Sequence, residues 1–556
     1  MGERVLAGTP ASPGVALGAA WRVVEAIEAV GPVPPERREE ERMAAAAALA
    51  AAADALIALA AGLAGEEAEI VETGALIAQD PALTIGVEEA IVTDGLSAAE
   101  AIVRVTGEHA DAIAAIGDET LAARADDVRS LGRRAAALAG GGAQTAPPGS
   151  DLVLIANDLG PADVAELASC LAGIGLAGGG PTAHAAIVAR SLGVPMVTGL
   201  YEQVLDIADG APLVIDGSCG TLVSEPSGER ERVAKAEMGV RRAAAQRAHD
   251  LRERPAVTTD GKRITVLANV ASPEELELGL RTGAEGIGLL RTELAFLDST
   301  GWPTEQQHSD ALKPILAGLE NQPAIVRVLD FGADKSPPFL HDVAQRGLEL
   351  LLTHPDAFIA QLRAIVLASR RHDIRVLLPM VDQPEQLAQS HALLEQVSAQ
   401  LGVDRAPPLG SMIETPTAAR NAPAIARRSD FLSIGTNDLT ASTLGLNRFA
   451  ANTARAHHPM VLRSIAVSVV AAHEAGIPIE VCGEAASDPI MLPLLVGLGI
   501  DEVSVGAARV GTVREWIRQL DAEETAGLAR SALTMDGAEE VEWAVRPLAI
   551  EHALTP

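Results

Sequence analysis

The stretch 263–293, RITVLANVASPEELELGLRTGAEGIGLLRTE, decides the fold. It opens on a strand-like apolar run, crosses a helical pattern and ends on a second strand-like run. The rhythm continues through AIVRVLDFG (324–332), IRVLLPMV (374–381), PPLGSMIET (407–415), FLSIGTND (431–438), IPIEVCGEA (477–485) and DEVSVG (501–506). Helical patterns separate most of these runs. Eight such units predict a closed (β/α)8 barrel over 255–545. A doubly wound sheet fits less well, because no Gly-rich dinucleotide fingerprint follows any strand.

Outward from the barrel the texture changes. Residues 226–254 are charged and helical, which predicts a linker helix. Residues 141–225 alternate strand and helix patterns (DLVLIAND, DVAELA, LAGIGLAG, TAHAAIVARSL, VPMVTG, PLVIDG) and read as a compact α/β unit. Residues 1–35 carry one or two short strands that this unit recruits. Residues 36–140 are rich in Ala, Glu and Leu at helical spacing and predict a helical domain. GGGAQTAPPG (140–149) reads as a linker. The class is α/β multidomain.

Composition narrows the function. Lys plus Arg total 43 against 75 Asp plus Glu, a net charge of −32, so the basic face a nucleic-acid binder needs is not expected. Hydrophobic residues at 48% exclude a mostly disordered chain. Aromatics at 2% leave the cores to Ala, Val, Leu and Ile. Cys170, Cys219 and Cys482 are too scattered for a disulfide framework or a zinc cluster, which fits a reducing cytoplasm. The N-terminus has no apolar signal region. Residues 43–64 are nearly all apolar, but mostly Ala, with Asp54 inside and ERREEER before them. Leu49, Leu56 and Leu63, with Leu59 between, form one seam of a soluble helix, so no membrane insertion is expected.

Barrel chemistry belongs at the C-terminal ends of strands. Asn269 ends the first strand, Arg291 and Glu293 the second. Arg327 and Asp330 lie on the third, Glu414 ends the fifth, Asn437 and Asp438 the sixth, Cys482 and Glu484 the seventh. Arginine forks bind phosphate and carboxylate. Carboxylates with oxygen-only surroundings suit Mg²⁺, which takes further oxygens from water and a phosphorylated substrate. The reading is a small phosphate- and carboxylate-bearing substrate bound with Mg²⁺. A second constellation is GGGPTAHAAIVAR (178–190), a glycine run entering a helix with Thr182 at its N-cap and His184 in its first turn. Such a terminus favours an anion, and imidazole can carry a phosphoryl group. A plain polar first-turn histidine is the alternative.

GGPTAHAAIVARSLGVPMV closely resembles the phosphohistidine segment of enzyme I of the bacterial phosphoenolpyruvate:sugar phosphotransferase system. TPASPGVALG resembles that family's opening, and IVETGALIAQDP and ADDVRSLGRR its HPr-binding helical domain. GIGLLRTE, IVRVLDFGADK, MIETPTAA, DFLSIGTNDLT and EVCGEAASD resemble its phosphoenolpyruvate-binding barrel. The resemblance implies that His184 takes the phosphoryl group from phosphoenolpyruvate and passes it to the carrier HPr, while pyruvate leaves. It implies substrate contacts from Arg291, Arg327, Arg346, Asn437 and Arg448, Mg²⁺ on Glu414 and Asp438, and Cys482 as the acid that protonates the enolpyruvate carbon. It also implies a swivelling phosphohistidine domain and a homodimer formed through the barrel. Pyruvate phosphate dikinase and phosphoenolpyruvate synthase carry a nucleotide-binding module for which this chain has no room. The nitrogen-branch form adds a sensory domain that is not expected here.

Three departures stand out. SPPFLHDVAQ between Lys335 and Arg346 is shorter than the family's loop. Glu349 stands where a second arginine is common. Ala441 and Ser442 replace a Gln and an aromatic or similar residue. The second reading is therefore a diverged paralogue, a phosphoenolpyruvate-sensing regulator with little turnover.

Overall fold

A computed structural model describes residues 3–23, 32–60, 66–115, 119–140, 151–180, 183–332, 336–340, 343, 345–446, 455–552 and 554. The chain forms two compact units, Met1–Arg242 and Ala243–Pro556. The expected linker at 140–149 falls outside the described residues from 141 onward, as do Thr182, Lys335 and Arg448.

The second unit is the expected barrel. Its strands, first to eighth, are Arg263–Val270, Ile287–Arg291, Ala324–Arg327, Ile374–Leu378, Leu409–Ile413, Phe431–Ile434, Ile479–Val481 and Glu502–Gly506. All pair in parallel, and the first closes on both the second and the eighth. Period-2 alternation sorts the side chains. Ile264, Val266, Ala268 and Val270 face the surrounding helices, as do Val503 and Val505. Leu289, Ile325, Leu377, Met412, Phe431 and Cys482 meet inside the barrel. The helices around it are well defined by local signals. Ser272 caps Pro273–Thr282 and Thr304 caps Glu305–Leu316, each accepting from a backbone N–H of the first turn.

Several expected strand ends are shorter than read. The third strand stops at Arg327, so Asp330 lies beyond it, and Glu293 follows the second strand. The sixth stops at Ile434. Asn437 and Asp438 sit instead in the first turn of a helix, Thr436–Leu444. Glu414 and Cys482 each lie one residue past their strands. The functional groups therefore stand on the turns above the sheet, where backbone pairing no longer dictates direction.

The first unit carries an eight-stranded sheet. Its order is Arg4–Ala7, Thr221–Ser224, Pro212–Asp216, Val15–Arg22, Leu152–Ala156, Leu171–Leu176, Met196–Thr198, Thr9–Ser12. Three N-terminal strands thus join it, more than the one or two read from sequence. Its helices are Pro161–Leu167 and His184–Ser191. The helical segment comprises Arg38–Ala60, Glu66–Ala78, Pro81–Asp94, Ala98–Ala114 and Glu119–Ala139. Pro35–Ala60 is long and apolar enough to cross a membrane by length and composition. Its Ala45, Leu49, Ala52, Ala53 and Leu56 are buried with Ile91, Ile102 and Leu131 of neighbouring helices. Leu59 is partly buried, and Leu63 falls outside the described residues. Small alanines let these helices approach closely, so the core needs few aromatics.

Candidate active site

His184 opens the helix His184–Ser191, and Ala183 stands at the N-cap with no side chain to cap it. The Ala186 N–H turns back to the Ala183 carbonyl at 2.9 Å, and the N–H groups of His184 and Ala185 are the ones that could meet an anion. His184 Nδ1 lies 2.7 Å from Asp127 Oδ2, on the helix Glu119–Ala139. The His184 side chain is 20% exposed and that of Asp127 7%. A carboxylate in this position can accept a hydrogen bond from Nδ1–H, an arrangement that leaves the Nε2 lone pair free. The sequence offered Asp127 within ADDVRSLGRR, but not as a partner of His184.

At the barrel mouth Arg291 and Arg327 are register partners on adjacent strands. Arg291 is half-buried. Arg327 is 4% exposed and pairs with Glu293, and with Asp330 Oδ2 at 3.2 Å. Burial alone pulls the Arg327 pKa down. Glu293 and Asp330 more than offset this and hold it above its usual value. Thr292 Oγ donates to the Arg327 carbonyl at 2.8 Å, and Gln361 Nε2 donates to Thr292 at 3.0 Å. These bonds fix the turn on which the acids stand.

Arg346 meets Asp438 through both fork nitrogens, at 3.0 and 3.2 Å, and Asp330 at 3.6 Å. Two groups assigned separate tasks from the sequence are thus joined here. Glu414 Oε2 accepts from the Met380 N–H at 2.8 Å. Burial first, then Asp330 and Asp438, push the Glu414 carboxyl up to about 7, against the pull of Arg327 and the Met380 N–H. Gly435 keeps this corner open, since a Cβ there would stand 2.7 Å from Glu414 Oε1. Ser442, one of the departures, reaches the Glu414 carbonyl at 3.0 Å and the Asp438 carbonyl at 2.7 Å. It ties the helix bearing Asp438 to the strand end bearing Glu414. Asn437 Oδ1 accepts from the Glu484 N–H at 3.3 Å and links the sixth and seventh loops.

Cys482 is 3% exposed. Ser433 Oγ donates to its sulfur at 3.2 Å, and Asn269 Nδ2 donates to its carbonyl at 3.2 Å. Burial and Glu480 push the thiol up to about 12, so it carries its proton at neutral pH. Ser433 was not singled out from the sequence.

The carboxylates Glu293, Asp330, Glu414 and Asp438 outnumber the guanidiniums Arg291, Arg327 and Arg346. That surplus, the oxygen-only donors and the raised Glu414 fit a divalent cation between Glu414 and Asp438. Among the described residues no group of three or more His, Cys, Asp or Glu is placed to hold a metal by itself. Water and substrate oxygens would complete the shell, as Mg²⁺ prefers.

The chain is similar to known proteins over most of its length. Family models of PEP-utilising enzymes match in three parts: the N-terminal part over residues 7–124, the mobile domain over 148–220 and the PEP-binding domain over 245–522. The chain is 38% identical over 469 residues to a multiphosphoryl transfer protein of Rhodobacter capsulatus, covering 82% of this chain and 56% of that one. It spans about half the length of the multiphosphoryl transfer proteins it matches. It is 33% identical over 499 residues to the phosphoenolpyruvate-protein phosphotransferase of Staphylococcus carnosus, covering 86% of this chain and 87% of that one. To that of Streptomyces coelicolor it is 36% identical over 502 residues, with 87% and 88% covered. The chain belongs to the phosphoenolpyruvate-protein phosphotransferase family.

Proposed function

We propose that the chain transfers the phosphoryl group of phosphoenolpyruvate to His184 and then to a histidine of the phosphocarrier HPr, the first step of phosphotransferase-system sugar uptake. The observation that carries this reading is the His184 Nδ1–Asp127 contact at 2.7 Å on a helix N-terminus with no side-chain cap. Nε2 attacks phosphorus, the bond from phosphorus to the enolpyruvate oxygen breaks, and the enolate carbon takes the Cys482 proton to give pyruvate. Arg291, Arg327 and Arg346 bind the phosphate and carboxylate. Asn437, and Arg448 by its position in the sequence, add contacts. Phosphoryl transfer asks mainly for such positioning and charge neutralisation. Mg²⁺ held by Glu414 and Asp438 would neutralise phosphate oxygens. Arg346 must then exchange Asp438 for substrate, so cation and substrate binding reinforce each other.

The homologues and the acidic, cysteine-poor composition support a cytoplasmic protein. A homodimer formed through the barrel completes the proposal, and a monomeric mass at micromolar concentration with Mg²⁺ and phosphoenolpyruvate would count against it. The test of function is intact mass after incubation with phosphoenolpyruvate and Mg²⁺, with and without HPr. A phosphate adduct that disappears on adding HPr is expected. The second reading, a phosphoenolpyruvate-sensing regulator, is favoured by one feature: the Arg346–Asp438 pair occupies the groups that substrate and cation need. Binding of phosphoenolpyruvate with no adduct would select it.

A further inference from the structure

The barrel interior below Cys482 is not wholly the apolar filling that such barrels ordinarily have. Glu480 lies two residues before Cys482 on the seventh strand, so both side chains face inward. Glu480 is 1% exposed. Among the described residues neither of its carboxyl oxygens completes a hydrogen bond, although Ser433 stands close enough to act on it. An unsatisfied buried carboxyl is costly where a leucine would fit, so packing gives no reason for it. Its register partner on the sixth strand is Ser433, the residue whose hydroxyl donates to Cys482 Sγ at 3.2 Å. Cα atoms so paired stand about 4.8 Å apart. On the other side, its register partner on the eighth strand is Glu502. The Glu502 side chain is 15% exposed and lies 3.6 Å from Arg375 on the fourth strand. Solvent thus reaches Glu502 at the N-terminal mouth, while Cys482 stands at the catalytic mouth.

We infer that Glu502, Glu480 and Ser433 form a proton relay through the barrel interior that restores the Cys482 proton after each turnover. The relay rests on the reading of Cys482 as the acid. When the Cys482 S–H proton goes to the enolate carbon, a thiolate remains. The Ser433 O–H proton moves to sulfur, and the Glu480 O–H proton replaces it on the serine oxygen. The Glu480 carboxylate is reprotonated from Glu502, and Glu502 from water. The reverse sequence carries away the proton taken from pyruvate's methyl group. The facing charges suit this direction. Burial, then Glu502, raise the Glu480 pKa well above the carboxylate range, with Ser433 and Arg375 pulling back. Burial also raises Glu502, with Asp501 and Glu285 adding to it and Arg375 opposing. Both acids therefore hold protons closer to neutral pH than a surface glutamate does. Cys482, the other titratable group facing Glu480, is the acceptor.

The test uses the full chain with phosphoenolpyruvate, Mg²⁺ and excess HPr, following pyruvate by rapid quench. Glu480→Gln keeps the shape and removes the transferable proton. It should form a first pyruvate per site at close to the wild-type rate and then slow, by roughly 10²-fold if refilling follows the usual size of acid catalysis. Exchange of pyruvate methyl protons with deuterated water should fall alike. Ser433→Ala cuts the same path one step nearer the thiol, losing the hydrogen bond to Cys482 Sγ, and should still give a burst, which covers a Glu480 variant that fails to fold. A first turnover slowed as much as the later ones, or unchanged steady state and exchange in both variants, would overturn the relay. Cys482→Ala separates the two ideas. If it keeps turnover and exchange, the reading of Cys482 falls. If it loses both while Glu480→Gln keeps them, only the relay falls.

Discussion

The two sites solve opposite problems. His184 sits one-fifth exposed, with a single carboxylate behind it and a helix terminus around it. The barrel mouth is a buried lattice of charge, with Arg327 at 4% exposure and Glu293 and Asp330 at 0%. On the proposed function, a group handed to a second protein has to be reachable. A group that must neutralise a small polyanion gains strength from a dry site. Function and stability should therefore separate at His184 and be inseparable at Arg327.

The largest effect expected is at His184. His184→Ala should abolish phosphate incorporation, read by intact mass, while the protein stays folded with a modestly lower melting temperature. The change leaves Asp127 without its hydrogen bond, a cost of about 1–3 kcal/mol that stays below that of a broken buried ion pair. An adduct of unchanged yield would break the comparison on its functional side.

Arg327→Leu should fail in both respects. It removes the guanidinium that compensates Glu293 and Asp330 and leaves their charges buried. Breaking a buried pair this way costs about 3–5 kcal/mol. Denaturant unfolding should show that loss, and phosphorylation of His184 should fall with it. Arg327→Lys keeps a charge but not the fork, and should recover more stability than activity. Full stability in Arg327→Leu would show that the lattice is looser than its burial implies.

Asp127→Asn sharpens the contrast from the other side. The shape is kept, but the amide no longer fixes the Nδ1 proton or supports the charge that develops on the ring. Autophosphorylation should fall by roughly 10²-fold, with the fold unchanged. A rate within twofold of wild type would leave the helix terminus as the only activating feature.

What the sequence could reveal follows from range. The eight barrel strands were legible because alternation and apolar runs are local, and each run sits where a strand formed. His184 and the mouth residues were legible through short motifs. The pairings were not. Asp127 lies 57 positions from His184 and Asp438 lies 92 from Arg346, so only closure of the fold brings them together. Strand ends were read too long because apolar continuity persists through Val328 and Leu329, which are buried although the third strand stops at Arg327. Glu480 was passed over within IPIEVCGEA, because a strand glutamate reads as solvent-facing until barrel closure turns it inward.

The smallest effect separates the charged mouth from the apolar body of the barrel. His308, on the helix Glu305–Leu316, is 2% exposed and packs edge-on against Phe296 at 5.0 Å. Burial depresses its pKa from 6.5 to about 4. The native state therefore holds it neutral, while the unfolded chain protonates it near 6.5. The stability it contributes is fully present above that value and is lost as pH falls from 6.5 through 4. The shift corresponds to about 3 kcal/mol at most. His308→Leu removes the titration and keeps the site apolar. Between pH 6.5 and 4 the wild type should lose stability faster than His308→Leu, and above pH 7 the gap should be constant. Parallel stability curves for the two proteins across that window would place the acid sensitivity elsewhere. Phosphorylation of His184 at pH 7.5 should be the same in both.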